Sequence, residues 1–270
     1  MREWILILLL GTGIFFVYHK KERPVTSLVS SSTLIISQQH QQPLIIDIVH
    51  WPAVRQAEKN IGLVLADIDS HMSIGHHFRD KNKITWAHET THGINNEIRN
   101  KHLGSNGFYV LEDRAIVVLE PRTTIARVAL NVPKGWRGLC HDLYLIQQRR
   151  DWNNQPLYLC DEWVAYTNGA ACRKDLQILD QESEMEFTCE FTGYVLCLAY
   201  TIKQDCPDYD DKQFRAFVMW SIERTMKIYA NESGANKRLE AIRGSSDGEV
   251  IRQFARSYFG VEWCRVVLGF

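Results

Sequence analysis

No stretch of this 270-residue chain concentrates Lys or Arg, and its 31 basic residues are balanced by 32 acidic ones for a formal net charge of -1. A surface that tracks phosphates needs a dense basic stripe, so nucleic acid is not an expected partner. Cysteine is absent from the first half. The seven present run from Cys140 through Cys160, Cys172, Cys189, Cys197 and Cys206 to Cys264, and none is spaced CxxC, which excludes a cysteine zinc knuckle. An odd number leaves at least one thiol unpaired, and two residues eight apart on one helix, as Cys189 and Cys197 would be, stand about 12 Å apart in rise, too far to bond. Cys140 with Cys160 is the pairing open to an exported chain, and small buried hydrophobes in a reducing compartment is the alternative. No internal repeat is visible. With 45% hydrophobic and 23% charged residues the chain can bury a sizeable core.

Long apolar runs are limited to the amino terminus, where Trp4 to Tyr18 carries no charge and is closed by His19, Lys20, Lys21 and Arg23. Fifteen residues fall short of the about 20 that cross a bilayer core. No small-x-small cleavage site follows, and basic residues stand where one would be. The expectation is an uncleaved membrane anchor within residues 1–23, with a cleaved signal and a buried helix as alternatives. The rest of the chain is then expected outside the cytoplasm, although Arg2 on one flank and three basic residues on the other leave orientation undecided. Residues 24–42, rich in Ser, Thr and Gln, suit a polar linker. The folded domain is expected over 43–270.

Within that domain, Leu44 to Val49 is β-prone and Val54 to Asp67 is compatible with a helix, followed by a polar loop from His71 to Lys83. A helix is expected from about Ile84 to Lys101, with Thr85 as candidate N-cap and Gly104 as the stop. Phe108 to Leu111 and Ala115 to Leu119 form a hairpin around Glu112, Asp113 and Arg114, and Arg122 to Val132 is expected to add a strand. Helical periodicity then dominates over Leu157–Ala171, Phe187–Ile202, Asp211–Ala230 and Glu249–Tyr258. In the third of these, Phe214, Phe217, Val218, Ile222 and Met226 share a core-facing stripe. The fold class is α+β, mainly α, with a small sheet or hairpin packed on the first long helix and a helical C-terminal half.

That first helix contains His88, Glu89 and His92, the pattern HExxH. Residues four apart lie on one helical face, so two imidazoles can reach one zinc ion at about 2.0–2.1 Å. Glu89 projects beside such an ion and can act as general base. Chance yields the pattern about 0.02 times in a chain of this composition. The plain reading is a helix whose histidines satisfy nearby carbonyls, but no Gly or Pro separates the pair, and Trp86, Ala87 and Ile94 suit a partly buried helix. The extended form HExxHxxGxxH fails, since Asn95 and Ile98 occupy the Gly and third His positions. The third ligand must therefore lie elsewhere. Glu162, in an otherwise apolar helical stretch, is the first candidate, because a buried carboxylate needs compensation such as a metal. Asp161 and His141 are alternatives, each with an ordinary salt-bridging or loop role as its plain reading. Asp161 is also the candidate for orienting a ligand histidine, and Tyr158, Tyr166 and His141 are candidates for stabilising an oxyanion.

With Ala165 one turn after Glu162, the chain resembles the gluzincin group of zinc peptidases, in which a Glu on a second helix, often as E-x-x-A, completes the site. The stretch Glu162-Trp163-Val164-Ala165-Tyr166 is similar to the corresponding segment of the anthrax lethal factor type. The resemblance covers about two helices and implies a zincin-like domain, with His88, His92 and Glu162 as zinc ligands, Glu89 as base and a peptide or protein as substrate. A zinc amidase acting on another bond would need the same ligands. Two alternatives remain: an inactive or structural zinc domain, which has no need of Glu89, and a membrane-attached binding or scaffold protein in which HExxH is fortuitous.

Overall fold

In the computed structural model the described residues are 45–270 without 74, 76, 77, 179–182 and 230–232, and the side chains of 183, 184 and 233–236 are also outside the description. The expected anchor (1–23) and linker (24–42) lie outside the described residues. No helix among the described residues is long and apolar enough to cross a membrane. Chain contacts divide at Gln42, and Pro43–Phe270 is one unit.

That unit is α+β and mainly helical, with one small antiparallel sheet. Strand β1 (Val49–His50), helix α1 (Leu63–His71), helix α2 (Lys83–Lys101), strand β2 (Ser105–Tyr109) and strand β3 (Arg114–Leu119) come first. Helix α3 (Ile125–Asn131), a π-helical segment (His141–Gln147) and the single turn α4 (Arg149–Trp152) follow. The remainder is α5 (Tyr158–Asp175), α6 (Ser183–Asp205), α7 (Lys212–Tyr229), α8 (Ser233–Gly244) and α9 (Glu249–Phe259), with short helical turns between and after them. The sheet order is β1-β3-β2, with Phe108 opposite Ile116, Tyr109 opposite Ala115, and Val49 also opposite Ala115.

Four sequence expectations are corrected. Only Val49 and His50 form a strand. Residues 45–48 are not paired in the sheet, and the backbone of Asp47 is gripped by Gln213 of α7, which accepts from its N–H at 3.0 Å and donates to its carbonyl at 2.7 Å. The helix expected from Val54 begins at Leu63, because Asn60 (φ 63°) and Gly62 (φ 91°) are left-handed and cannot continue a right-handed helix. Residues 122–132 give helix α3 rather than a strand, started by Thr124, whose hydroxyl accepts from Arg127 N at 3.2 Å. Helix α2 is capped by Asn82, not Thr85: Asn82 Oδ1 accepts from Ile84 N at 3.0 Å and Thr85 N at 3.3 Å. All seven cysteines are unpaired, so Cys140 and Cys160 form no disulfide. Burial pushes the Cys172 and Cys189 thiols up to about 12, which keeps both protonated and inert near neutrality.

The hairpin turn is unusual. Leu111, Glu112 and Asp113 are successive left-handed residues with φ of 73°, 59° and 55°, a conformation that costs L residues about 1–2 kcal/mol each. Helix α1 holds it in place: Asp67 Oδ2 accepts from Glu112 N at 3.1 Å, and His71 Nε2 faces Asp113 Oδ1 at 2.7 Å. Trp51 N also donates to Asp113 O at 2.7 Å.

Two apolar clusters form the core. One joins the sheet and α3 to the C-terminal helices through Phe108, Trp163, Phe191, Phe214 and Phe217. The other packs α1, α2 and the hairpin around Leu65, Ile68, Trp86, Ile94 and Ile98. Helices α2 and α5 meet at the seam between them, and the polar residues of both helices gather there.

Candidate metal centre

His88 and His92 fall one turn apart on α2 and present their rings to α5, where Glu162 lies in the first half of the helix. Their Nε2 atoms are 3.0 Å apart, and Glu162 Oε2 lies 3.6 Å from His88 Nε2 and 3.5 Å from His92 Nε2. Three donors on a tetrahedral zinc at about 2.0–2.1 Å are separated by about 3.3 Å, so this triangle is of the size that such an ion requires. Glu162 Oε2 is buried and has no hydrogen-bond partner, whereas Oε1 accepts from the Tyr158 hydroxyl. An orphaned carboxylate oxygen is costly unless something cationic faces it. His88 and His92 retain side-chain exposures of 13% and 21%, so the triangle opens toward solvent on the imidazole side.

The electrostatics agree with a cation-seeking point. Burial works against charge on His92, but Glu162 and Asp161 outweigh it and push the imidazole well up. Burial likewise opposes ionisation of Glu162, and the adjacent His92 and His88 hold its carboxyl well below the usual range instead. The carboxylate is thus ionised, and a metal ion would replace the imidazolium as its counter-charge.

Each ligand candidate is held differently. His92 Nδ1 lies 3.1 Å from Asp161 Oδ1, which also accepts from Asn95 Nδ2 at 2.6 Å. Glu162 is fixed by Tyr158, whose ring stacks on Trp152 at 4.4 Å and 4°. The ring of His88 rests edge-on against Tyr166, with centroids 4.4 Å apart at 65°. Close approach of the helices is helped by Gly169, where a Cβ would press on Ile84 Cγ2 at 3.3 Å. Glu89 is half-buried beside His88, and its carboxylate has no hydrogen-bond or ionic partner among the described residues.

Of the other candidates, Asp161 faces the far nitrogen of His92 rather than the triangle, the position of an orienting group and not of a ligand. His141 is outside the triangle and its Nδ1 faces Asp142 Oδ1 at 3.0 Å. The Tyr158 hydroxyl is spent on Glu162, and that of Tyr166 lies 2.6 Å from the Tyr144 hydroxyl, where either oxygen can be the donor. Asn95 escaped the sequence reading although it sits three residues beyond His92, on the same helical face. Asn168, which donates to Thr91 Oγ1 at 3.2 Å and Tyr109 O at 3.0 Å, escaped it because its partners are remote in sequence.

A second group, Asp67, His71 and Asp113, also has close donor atoms. There both ring nitrogens of His71 already have acceptors, Asp67 O at 2.6 Å and Asp113 Oδ1 at 2.7 Å, so it serves as the hydrogen-bonded clamp on the hairpin turn.

Comparison with protein-family models finds no matching family, and comparisons with curated proteins and with solved structures find no match.

Proposed function

We propose that this protein is a zinc-dependent metallopeptidase with a zincin-like domain, held at a membrane by its N-terminal segment. The observation that carries the reading is the buried Oε2 of Glu162, which accepts no hydrogen bond among the described residues and faces both Nε2 atoms of the HExxH pair across 3.5–3.6 Å. His88, His92 and Glu162 would hold the ion. Zinc held there would supply Lewis acidity toward a scissile carbonyl and would make the attacking water more acidic. Glu89, next to His88 and without a competing partner among the described residues, takes the proton of the attacking water and passes it to the leaving amine. Asp161 holds the His92 ring by its Nδ1, so that Nε2 remains the ligand atom. Restriction to peptide bonds rests on the resemblance of the Glu162–Tyr166 stretch to the gluzincin pattern. The presence of Glu89 favours an enzyme over a structural zinc site. Incubation of the purified protein with a mixed peptide library, read by mass spectrometry, tests the reading: wild type cleaves, and Glu89→Gln keeps its zinc but loses activity about 10³-fold or more. Equal cleavage by both would remove Glu89 from the mechanism, and no cleavage of any peptide by zinc-loaded wild type would remove the peptidase reading.

A further inference from the structure

Asn95 belongs to α2, is 2% exposed, and uses both ends of its amide. Its Nδ2 donates to Asp161 Oδ1 at 2.6 Å, the oxygen that faces His92 Nδ1, and its Oδ1 accepts from Tyr109 N at 2.7 Å. The two neighbours fix the amide's orientation, since a carboxylate needs the N–H and a backbone N–H needs the oxygen. The carbonyl of the same Tyr109 accepts from Asn168 Nδ2 at 3.0 Å, and Asn168 Oδ1 accepts from Arg224 Nη2 at 2.6 Å. Tyr109 is the last residue of edge strand β2, and these are the two backbone groups it turns away from β3. One asparagine from each ligand-bearing helix therefore fills the place of a further strand and sets the sheet in register with α2 and α5.

Resting on the zinc reading above, we infer that Asn95 is a positioning residue for the metal centre. It holds Asp161 in the rotamer that orients His92, and it anchors that pair to the sheet through Tyr109. Isoleucine at 94 and 98 packs the same helix into the core but has no group to hydrogen-bond Asp161; the polar link is made by Asn95. Without it the Asp161 carboxylate is free to turn, and the His92 ring loses its fixed acceptor. Partners of this outer kind typically contribute 10–100-fold to metal affinity.

The test is zinc affinity of the full chain by competition with a chromophoric chelator, for wild type, Asn95→Ala, Asp161→Asn and the double variant, with the visible spectrum of the cobalt(II)-substituted forms. The inference expects each single variant to bind zinc 10–100-fold more weakly, the double variant to be no weaker than the weaker single one, and the cobalt bands of Asn95→Ala to shift toward those of Asp161→Asn. Affinity of Asn95→Ala within twofold of wild type, or losses that multiply in the double variant, would overturn it while leaving the zinc reading intact. A wild type that takes up no zinc would end both. Should Asn95→Ala not fold, Asn95→Asp keeps the acceptor for Tyr109 N and sets a second carboxylate against Asp161 in place of the donor. Combining it with Asp161→Asn restores one donor and one acceptor, and the pair should then recover affinity lost in Asn95→Asp; no recovery would overturn the inference.

Discussion

Replacing Tyr158 by Phe separates two roles that this residue could have. The Tyr158 hydroxyl lies between Glu162 Oε1 and Gln148 Oε1, the latter at 2.9 Å, and its single proton goes to the ionised carboxylate, the stronger acceptor. Burial and the adjacent Glu162 push the phenol well up, so it remains a donor at any working pH. Tyr158→Phe keeps the ring stacked on Trp152 and deletes only the hydroxyl. A hydrogen bond to a charged group contributes about 1.5–3 kcal/mol, which converts to about 10–100-fold in metal affinity if Glu162 relies on it to hold its ligand orientation. Chelator competition measures the affinity, and steady-state kinetics at saturating zinc measure the turnover. The structure predicts weaker zinc and a turnover within about tenfold of wild type once the metal is restored. The reasoning would be refuted by unchanged zinc affinity with kcat reduced about 10²–10³-fold, the signature of a lost oxyanion donor.

Glu120 accepts from Leu157 N at 2.9 Å and from Asn106, and burial pushes its carboxyl up to about 7. The unfolded chain ionises it near its ordinary value of 4.5, so stability falls as pH rises from about 4.5 to 7 and is level above, by up to about 3 kcal/mol. In Glu120→Gln, urea midpoints at pH 5 and pH 8 should differ less than in wild type; an unchanged difference would contradict this. Gly107→Ala drives a Cβ into Ile98 Cβ and Cγ2, and should cost about 1–3 kcal/mol in denaturant unfolding at an unchanged m-value. Tyr109→Phe removes the hydroxyl that donates to Asp67 Oδ2 at 2.8 Å, leaves the backbone grip on the sheet edge, and should lower stability by about 1–2 kcal/mol without changing zinc affinity.

The helices that were easiest to read are those in which apolar periodicity alone decides the structure. In α7, Phe214, Phe217, Val218 and Ile222 are buried as their spacing requires, and Met226 is partly buried at the end of the stripe. The early region departs from its sequence pattern because its elements are set by backbone exceptions and remote caps. Helix α1 waits for Gly62, and its first turn is satisfied by Asp175 Oδ2, which accepts from Val64 N at 3.1 Å and comes from the far end of α5. The β-branched run ahead of α3 resembles a strand until Thr124 is recognised as a cap. At the site, the spacing of His88 and His92 is local and therefore visible in sequence. Glu162 was legible only as a carboxylate without an evident reason to be buried. What the sequence could not supply is the third dimension of the seam: that Asp161 and Glu162, adjacent in sequence, divide into an orienting group and a ligand candidate, and that Asn95 and Tyr158 stand behind them.

The most direct test of the account is the amount of zinc bound per chain, by elemental analysis of the purified protein and of His92→Ala and Glu162→Ala. About one zinc per wild-type chain, lost in both variants while circular dichroism shows the fold retained, is the predicted result. A well-folded wild type that neither carries zinc nor can be reconstituted with it would contradict the metal centre, and with it the proposed hydrolysis.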